Sequence, residues 1–302
     1  MTKLVQLHIP AGTRLPDFVI IGAQRSGSVI LQQLLHQHPQ VYMPPAPKEL
    51  HFFNRSVDRF DQYTAVFSTA EALGKQIGER SSNYFDMPEQ RIEYMRRVLP
   101  NAKLIVVLRD PIARAWSHAL MEVSNYQRKR LTKRDTKSAL LHIGSIRNTT
   151  RTEYADLLNN WLTYYPKEQL LIVFKEECRT NLPSVWKQLC TFLEVDECPL
   201  EDFDVQSFGS HRLSMPRTAV WFLQRRYKQL PAQLNALAIP IPESWTRRKV
   251  KLATWRKWQT WLWIVPRNWF FNWTYTLYKK RKEDRMPVPD VYFESEKREI
   301  QH

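Results

Sequence analysis

Four short stretches carry residue types that could handle an anion or a proton. In FVIIGAQRSGSVILQQLLHQHP, residues 18–39, Gly22 and Gly27 bracket a loop that holds Arg25 and Ser26 and runs into Ser28 and Val29. Such a loop can aim several backbone N–H groups at one point, and the start of a following helix adds partial positive charge there. A phosphate or a sulfate suits that point, with the Arg25 cation meeting it from inside the turn. In KLIVVLRDPIARAWSHAL, residues 103–120, Arg109 closes an apolar run, and Asp110, Pro111, Arg114 and Ser117 follow it. Between them, the proline-rich PPAPKELHFFN presents Lys48, Glu49 and His51, and GERSSNYF presents Arg80. A carboxylate and an imidazole in one loop are candidate proton acceptors, the imidazole because it titrates near neutrality without tuning.

The elements that must position these groups can be read from apolar spacing. Phe18–Ile21 is a buried strand, and from Ser28 the residues Ile30, Leu31, Leu34 and Leu35 fall at helical spacing until Pro39 stops the run. Val41–Met43 is a short strand, 56–74 an amphipathic helix, Gln76–Glu79 a strand and Pro88–Leu99 a helix. Leu104–Leu108 is a continuous apolar run, as expected of a strand covered on both faces. Asp110 is a good helix cap and Pro111 a good first helical residue. Residues 126–151 are basic and polar without a period and read as a mobile segment. Tyr154–Tyr165 is a helix, Leu170–Phe174 a further strand, and TNLPSVWKQLCTFLEV a capped helix. Short apolar strands alternating with helices predict an α/β fold with a parallel sheet between helical layers. In such sheets ligands bind at the carboxyl ends of the strands. Arg25, Arg80 and Arg109 all come just after predicted strand ends, so the topology could bring three cations to one edge.

The chain has 302 residues, 43% hydrophobic and 25% charged, enough to bury an ordinary core. Its formal charge of +15 predicts an anionic partner: a nucleotide, an acidic glycan, nucleic acid or an anionic membrane. The three cysteines, Cys178, Cys190 and Cys198, form neither a disulfide framework nor a metal knuckle and read as idle thiols in a reducing compartment. Residues 1–16 lack the apolar run of a signal peptide and read as a ragged lead-in; no stretch has the length of a membrane span. These features predict a cytoplasmic protein.

Gly22 and Gly27 have the spacing of a nucleotide-binding P-loop, but Ser28 stands where its lysine belongs, which disfavours an ATP-dependent kinase. With the Arg25 loop and the RDP segment both in view, the chain resembles the sulfotransferases that use 3′-phosphoadenosine 5′-phosphosulfate (PAPS), closest to the bacterial and Golgi-type branch without its membrane anchor. The resemblance runs from about Pro16 to Arg217. It implies a P-loop-like three-layer sandwich with a central parallel sheet, as one sulfotransferase domain over 1–302 with a core of about 16–240. The 5′-phosphosulfate would be held by Arg25, Ser26, Gly27, Ser28 and Val29, although the family usually has Lys at the position of Arg25 and Thr-Thr at Ser28 and Val29. The 3′-phosphate would be held by Arg109 and Ser117. Arg80 would lie near the sulfuryl group, and Gly209, Ser210 and Arg212 in SFGSHRLSMPR would cover the 3′-phosphate and adenine. The KEE at 175–177 resembles a Tyr-Glu-Asp segment with a structural role. KELHFFN resembles the family's Lys-Glu-x-His-Phe-Phe segment, which implies Glu49 as catalytic base, with His51 as its rival. The implied reaction is in-line sulfuryl transfer from PAPS to a hydroxyl or amine of a glycan, lipid or small molecule, leaving 3′-phosphoadenosine 5′-phosphate (PAP). Arg25 would stabilise charge on the leaving oxygen, and no metal is required.

The tail, residues 243–302, is basic, aromatic and mostly helical in pattern. Seven of the eleven tryptophans lie between Trp245 and Arg281, and Trp255, Trp258 and Trp261 recur every third residue. Helices packing their aromatics on the sheet, an interfacial pair on an anionic membrane, and an acceptor groove all fit this pattern. A non-catalytic nucleotide- or nucleic-acid-binding protein is the alternative function, although no nucleic-acid motif is present.

Overall fold

The computed structural model describes residues 6–44, 49–55, 59–127, 131–200, 213–247, 250–255, 264, 272 and 288–293. Its centre is a five-stranded sheet. Following β1 (Gln6–Ile9), the strands β2 (Phe18–Gly22), β3 (Val41–Tyr42), β4 (Gln76–Arg80), β5 (Lys103–Leu108) and β6 (Leu170–Phe174) form it in the order β3-β4-β2-β5-β6. Every pairing is parallel, with Phe18 opposite Gly78 and Lys103, and Leu108 opposite Phe174. Strands buried on both faces need continuous apolar runs, and β2 and β5 supply them.

Helices cover both faces. On one side α1 (Ser28–His36) packs Ile30, Leu31, Leu34 and Leu35 with Ile105, Val107 and Val173 of the sheet. On the other, α2 (Phe60–Ala65), α3 (Glu89–Val98), α4 (Pro111–Gln127), α5 (Thr136–His142), α6 (Ile146–Thr150) and α7 (Tyr154–Tyr164) build around the larger core. After β6 come α8 (Lys175–Thr180) and α9 (Leu182–Leu193), then α10 (Arg217–Arg226), α11 (Leu230–Ala236) and α12 (Ser244–Arg247). Val185, Trp186 and Leu189 of α9 join α1 on the first face. The parallel sheet between helical layers is the predicted architecture.

Three elements differ from the sequence reading. The helix predicted over 56–74 is only α2, followed by a 3-10 turn at Ala70–Ala72. The Thr64 and Ser68 hydroxyls bond to main-chain carbonyls three or four residues back, which weakens a helix rather than extending it. The stretch read as mobile holds α5 and α6, preceded by a 3-10 turn at Lys133–Asp135 whose capping box joins Thr132 and Asp135. The lead-in contains β1, which pairs in parallel with β7 (Asp290–Phe293) and buries Leu7 and Ile9. Of the tail, Trp245 is buried edge-on against Phe174 and beside Tyr154, and Trp255 is exposed. Trp258, Trp261, Trp263, Trp269 and Trp273 lie outside the described residues. Cys178, Cys190 and Cys198 are free thiols. No described helix is long and apolar enough to cross a membrane.

Candidate active site

The loop after β2 leads into the start of α1 with main-chain donors that lack an acceptor among the described residues. Gly27 caps α1 in the left-handed region at φ 101°, and Arg25 is also left-handed at φ 69°. A positive φ at a non-glycine residue costs on the order of 1–3 kcal/mol and persists where the surroundings enforce it. The first turn of α1 carries no side-chain cap, and the N–H groups of Gly27, Ser28 and Val29 meet no acceptor among the described residues. Three unpaired main-chain donors at a helix start make this loop a candidate anion cradle.

The second motif closes on this loop from the neighbouring strand. Arg109 follows β5 and donates from Nη1 to the Arg25 carbonyl at 3.0 Å. Arg25 in turn donates from Nε to Ser117 Oγ on α4 at 3.2 Å. Asp110 caps α4 as its sequence suggests, accepting from the N–H of Ile112 at 2.9 Å. Tyr154 O–H fixes the Arg109 carbonyl at 3.0 Å. Among the described residues no carboxylate lies within ion-pair distance of Arg25 or Arg109. Burial lowers the pKa of both guanidiniums from the ordinary value, and their mutual repulsion adds to this at Arg25. Two partly buried cations with no ion-pair partner among the described residues, beside N–H groups without an acceptor, suit an anionic ligand.

Behind them lies a fully buried cation. Arg114 donates from Nε to Thr152 Oγ1 at 2.9 Å and from Nη2 to the Asn148 carbonyl at 2.6 Å. Arg151 bonds Asp86 at 2.8 Å and lies 3.1 Å from His118 Nε2. His118 has no exposed surface, and burial together with Arg114 and Arg151 holds its pKa well below the usual imidazole range. It is therefore neutral and accepts from Arg151. This cage holds α4 and the loop carbonyl of Gln24 in place.

A second cluster forms at the end of β4. Arg80 pairs with Glu49 Oε1 and donates from Nε to Gln32 Oε1 at 2.6 Å. Ser82 donates to the same Glu49 oxygen at 2.9 Å. Glu49 Oε2 lies 3.2 Å from His51 Nε2, and His51 Nδ1 lies 2.7 Å from Asn83 Oδ1. Burial lowers the His51 pKa, while Glu49 and Asn83 pull it back up. Ser81 accepts the His51 N–H at 3.0 Å and donates to buried Glu79 at 2.7 Å, and Tyr63 donates to Glu79 at 2.6 Å. His51 itself adopts the left-handed region at φ 56°. The cluster is thus a carboxylate–imidazole pair on a rigid buried support.

Arg25, Ser26, Gly27, Ser28, Val29, Arg109 and Ser117 come together around the cradle, and Glu49, His51 and Arg80 around the pair. Arg80 turns toward Glu49 and Gln32. Gly209, Ser210 and Arg212 lie outside the described residues. Sequence reasoning gave no role to Gln32, Ser82 or Asn83, although Ser82 and Asn83 stand in the quoted GERSSNYF. Gln32 joins the clusters: it sits one turn into α1, accepts from Arg80 and donates to the Pro44 carbonyl at 3.1 Å.

A parallel α/β sheet with a candidate anion cradle at its carboxyl edge and a carboxylate–imidazole pair in the loop before α2, against the end of β4, has the make-up of a group-transfer protein acting on an anionic donor. The chain matches the family model described as the sulfotransferase domain over residues 15–208, more than half its length, and belongs to that family. It is 32% identical over 200 residues to the human bifunctional heparan sulfate N-deacetylase/N-sulfotransferase 2, covering 60% of this chain and 22% of that one. To the corresponding Drosophila melanogaster enzyme it is 29% identical over 215 residues, 63% of this chain and 20% of the other. The match therefore spans about a fifth of the length of these relatives. Among solved structures, a sulfotransferase from Alicyclobacillus acidocaldarius shares the fold with a TM-score of 0.62 at 24% identity, over 78% of this chain and all of the other. Family membership favours sulfuryl transfer over the non-catalytic nucleic-acid reading that the charge of +15 left open.

Proposed function

We propose that this protein transfers a sulfuryl group from PAPS to a hydroxyl or amine of an acceptor. The observation that carries it is the mutual contact of the two motifs: Arg109 on the Arg25 carbonyl and Arg25 on Ser117, beside N–H groups with no acceptor among the described residues. PAPS supplies the activated sulfate; its S–O bond to the 5′-phosphate breaks as the acceptor–sulfur bond forms, and PAP leaves. The loop N–H groups and Arg25 bind the 5′ end and stabilise the charge that grows there. Arg109 and Ser117 bind the 3′-phosphate and reject nucleotides that lack it. Val29 contributes its backbone N–H only.

The proton leaves the acceptor toward Glu49. One oxygen of this carboxylate is held by Arg80 and Ser82, and the other faces His51 with acceptor capacity remaining. With Nδ1 donating to Asn83 Oδ1, neutral His51 aims the Nε2 lone pair at Glu49, and the gap of 3.2 Å fits one more proton. Glu49 is therefore the group that accepts the proton, and His51 shares it. An aminoglycan is a natural acceptor to test, because the relatives are heparan sulfate N-sulfotransferases by name. Transfer of radiolabelled sulfate from PAPS to a panel of glycans with free amines, hydroxyl-only glycans, glycolipids and small alcohols tests the reading. Tight PAP binding with no transfer to any of them refutes the enzymatic part.

A further inference from the structure

Lys175 is the first residue after β6, and Leu108 lies opposite Phe174, so Lys175 and Arg109 leave adjacent strands side by side. Its stem lies on the cradle. A Cβ placed on Gly27 would stand 3.3 Å from Lys175 Cδ and 3.5 Å from Cε, so the ammonium is one bond from an atom that packs on Gly27. Among the described residues it makes no hydrogen bond or ion pair. A lysine that packs its stem against a glycine of an anion cradle and leaves its charge unmatched is placed to meet the same anion.

We propose that Lys175 is a further donor-binding cation, which takes up a proton when a phosphate of the donor settles between Gly27 and Arg109. This rests on the reading of the site as a PAPS site and adds to it an ionisable ligand group and a pH-dependent affinity. The charged groups around Lys175 explain why it titrates. Burial, Arg109, Arg179 on α8 and Arg25 in the loop lower its pKa, Glu176 raises it, and the result is about 8. Glu176 is itself engaged by the Asp110 N–H at 3.0 Å, which places the carboxylate beside the start of α4. Arg25 and Arg109 stay charged throughout this range. Near pH 8 a fraction of the molecules therefore carries a neutral Lys175. An arriving phosphate dianion offsets the surrounding cations and draws the missing proton in. The affinity for the donor then falls as pH rises above 8, by up to about tenfold per pH unit until the pKa of the bound state is reached.

The test is titration calorimetry with PAP at pH 8, in buffers of different ionisation enthalpy. The second ionisation of a phosphate lies near pH 6, so PAP itself contributes little proton exchange at pH 8. The wild type should take up a fraction of a proton on binding. Lys175→Met and Lys175→Gln should bind PAP at least ~10-fold more weakly at pH 7 and lose the uptake. Lys175→Arg should keep most of the affinity without proton uptake, because its charge does not titrate. Repeating the series with adenosine 5′-monophosphate and 3′-monophosphate tells which phosphate Lys175 meets; a penalty on either supports the assignment. Proton-neutral binding by the wild type, or binding by the Met and Gln variants within twofold of it, overturns the role of Lys175 alone. No PAP binding by the wild type overturns the donor-site reading, and this proposal with it.

Discussion

Replacing Glu49 by Gln separates chemistry from architecture. Glu49 and Arg80 are 18% and 7% exposed, so their pair belongs to the buried class, where removal of one partner costs about 3–5 kcal/mol rather than the fraction seen at surfaces. Gln keeps an amide oxygen for Arg80 and Ser82, and about 1–3 kcal/mol of stability should be lost. Turnover should fall at least ~100-fold, because an amide cannot take the acceptor proton. PAP affinity should stay within a few-fold, since no bond joins Glu49 to the Arg25 loop directly. Urea unfolding, PAP calorimetry and sulfate transfer read the three quantities separately. The double variant Glu49→Gln/Arg80→Gln should recover part of the stability, because the lone buried charge is gone, and none of the turnover. A folded Glu49→Gln protein with near-normal turnover refutes the assignment and moves the base to His51.

Three other outcomes follow from the same geometry. Arg109→Ala removes a phosphate partner and the brace on the Arg25 carbonyl, and should weaken PAP binding by about 2–5 kcal/mol, measured by calorimetry. Gly78→Ala would put a Cβ 2.1 Å from the buried Phe18 ring across the β2–β4 pair, and should cost about 1–3 kcal/mol in urea unfolding. His118 is neutral in the folded protein and takes a proton once unfolded, so the unfolded state binds more protons below about pH 6.5. Stability should therefore fall with decreasing pH by up to ~1.4 kcal/mol per unit from this group, and His118→Gln should flatten that slope in unfolding curves collected from pH 7 to 5.

The parts legible in the sequence are those whose signal is local. Phe18–Ile21, Leu104–Leu108 and Leu170–Phe174 are continuous apolar runs, and each is a strand of the sheet. Asp110 and Pro111 announce a helix start, and Asp110 caps α4. The left-handed glycine of the loop is likewise a local requirement. What stayed hidden depends on partners distant in the chain. Asn148 and Thr152 look like loop residues until Arg114, 34 and 38 positions earlier, is buried on them. Gln32 is one more polar residue in an amphipathic helix, and only the arrival of Arg80 gives it a function. Lys175 sits in a segment that resemblance marks as structural, and its meaning comes from the approach of Gly27 across 148 positions of sequence.

The parallel pairing of β1 with β7 makes the two extremities of the chain one element. His8 stacks on Tyr292, and Arg97 on α3 reaches Asp290, so the strand from the far end is clasped by the front of the protein. Anyone ending this protein where the match to the family model ends, at residue 208, would strip Gln6–Ile9 of its hydrogen-bonded neighbour and leave Leu7 and Ile9 as a bare edge. A shortened version that clumps or melts early would then report a missing clasp, and its poor activity would carry no information about the chemistry.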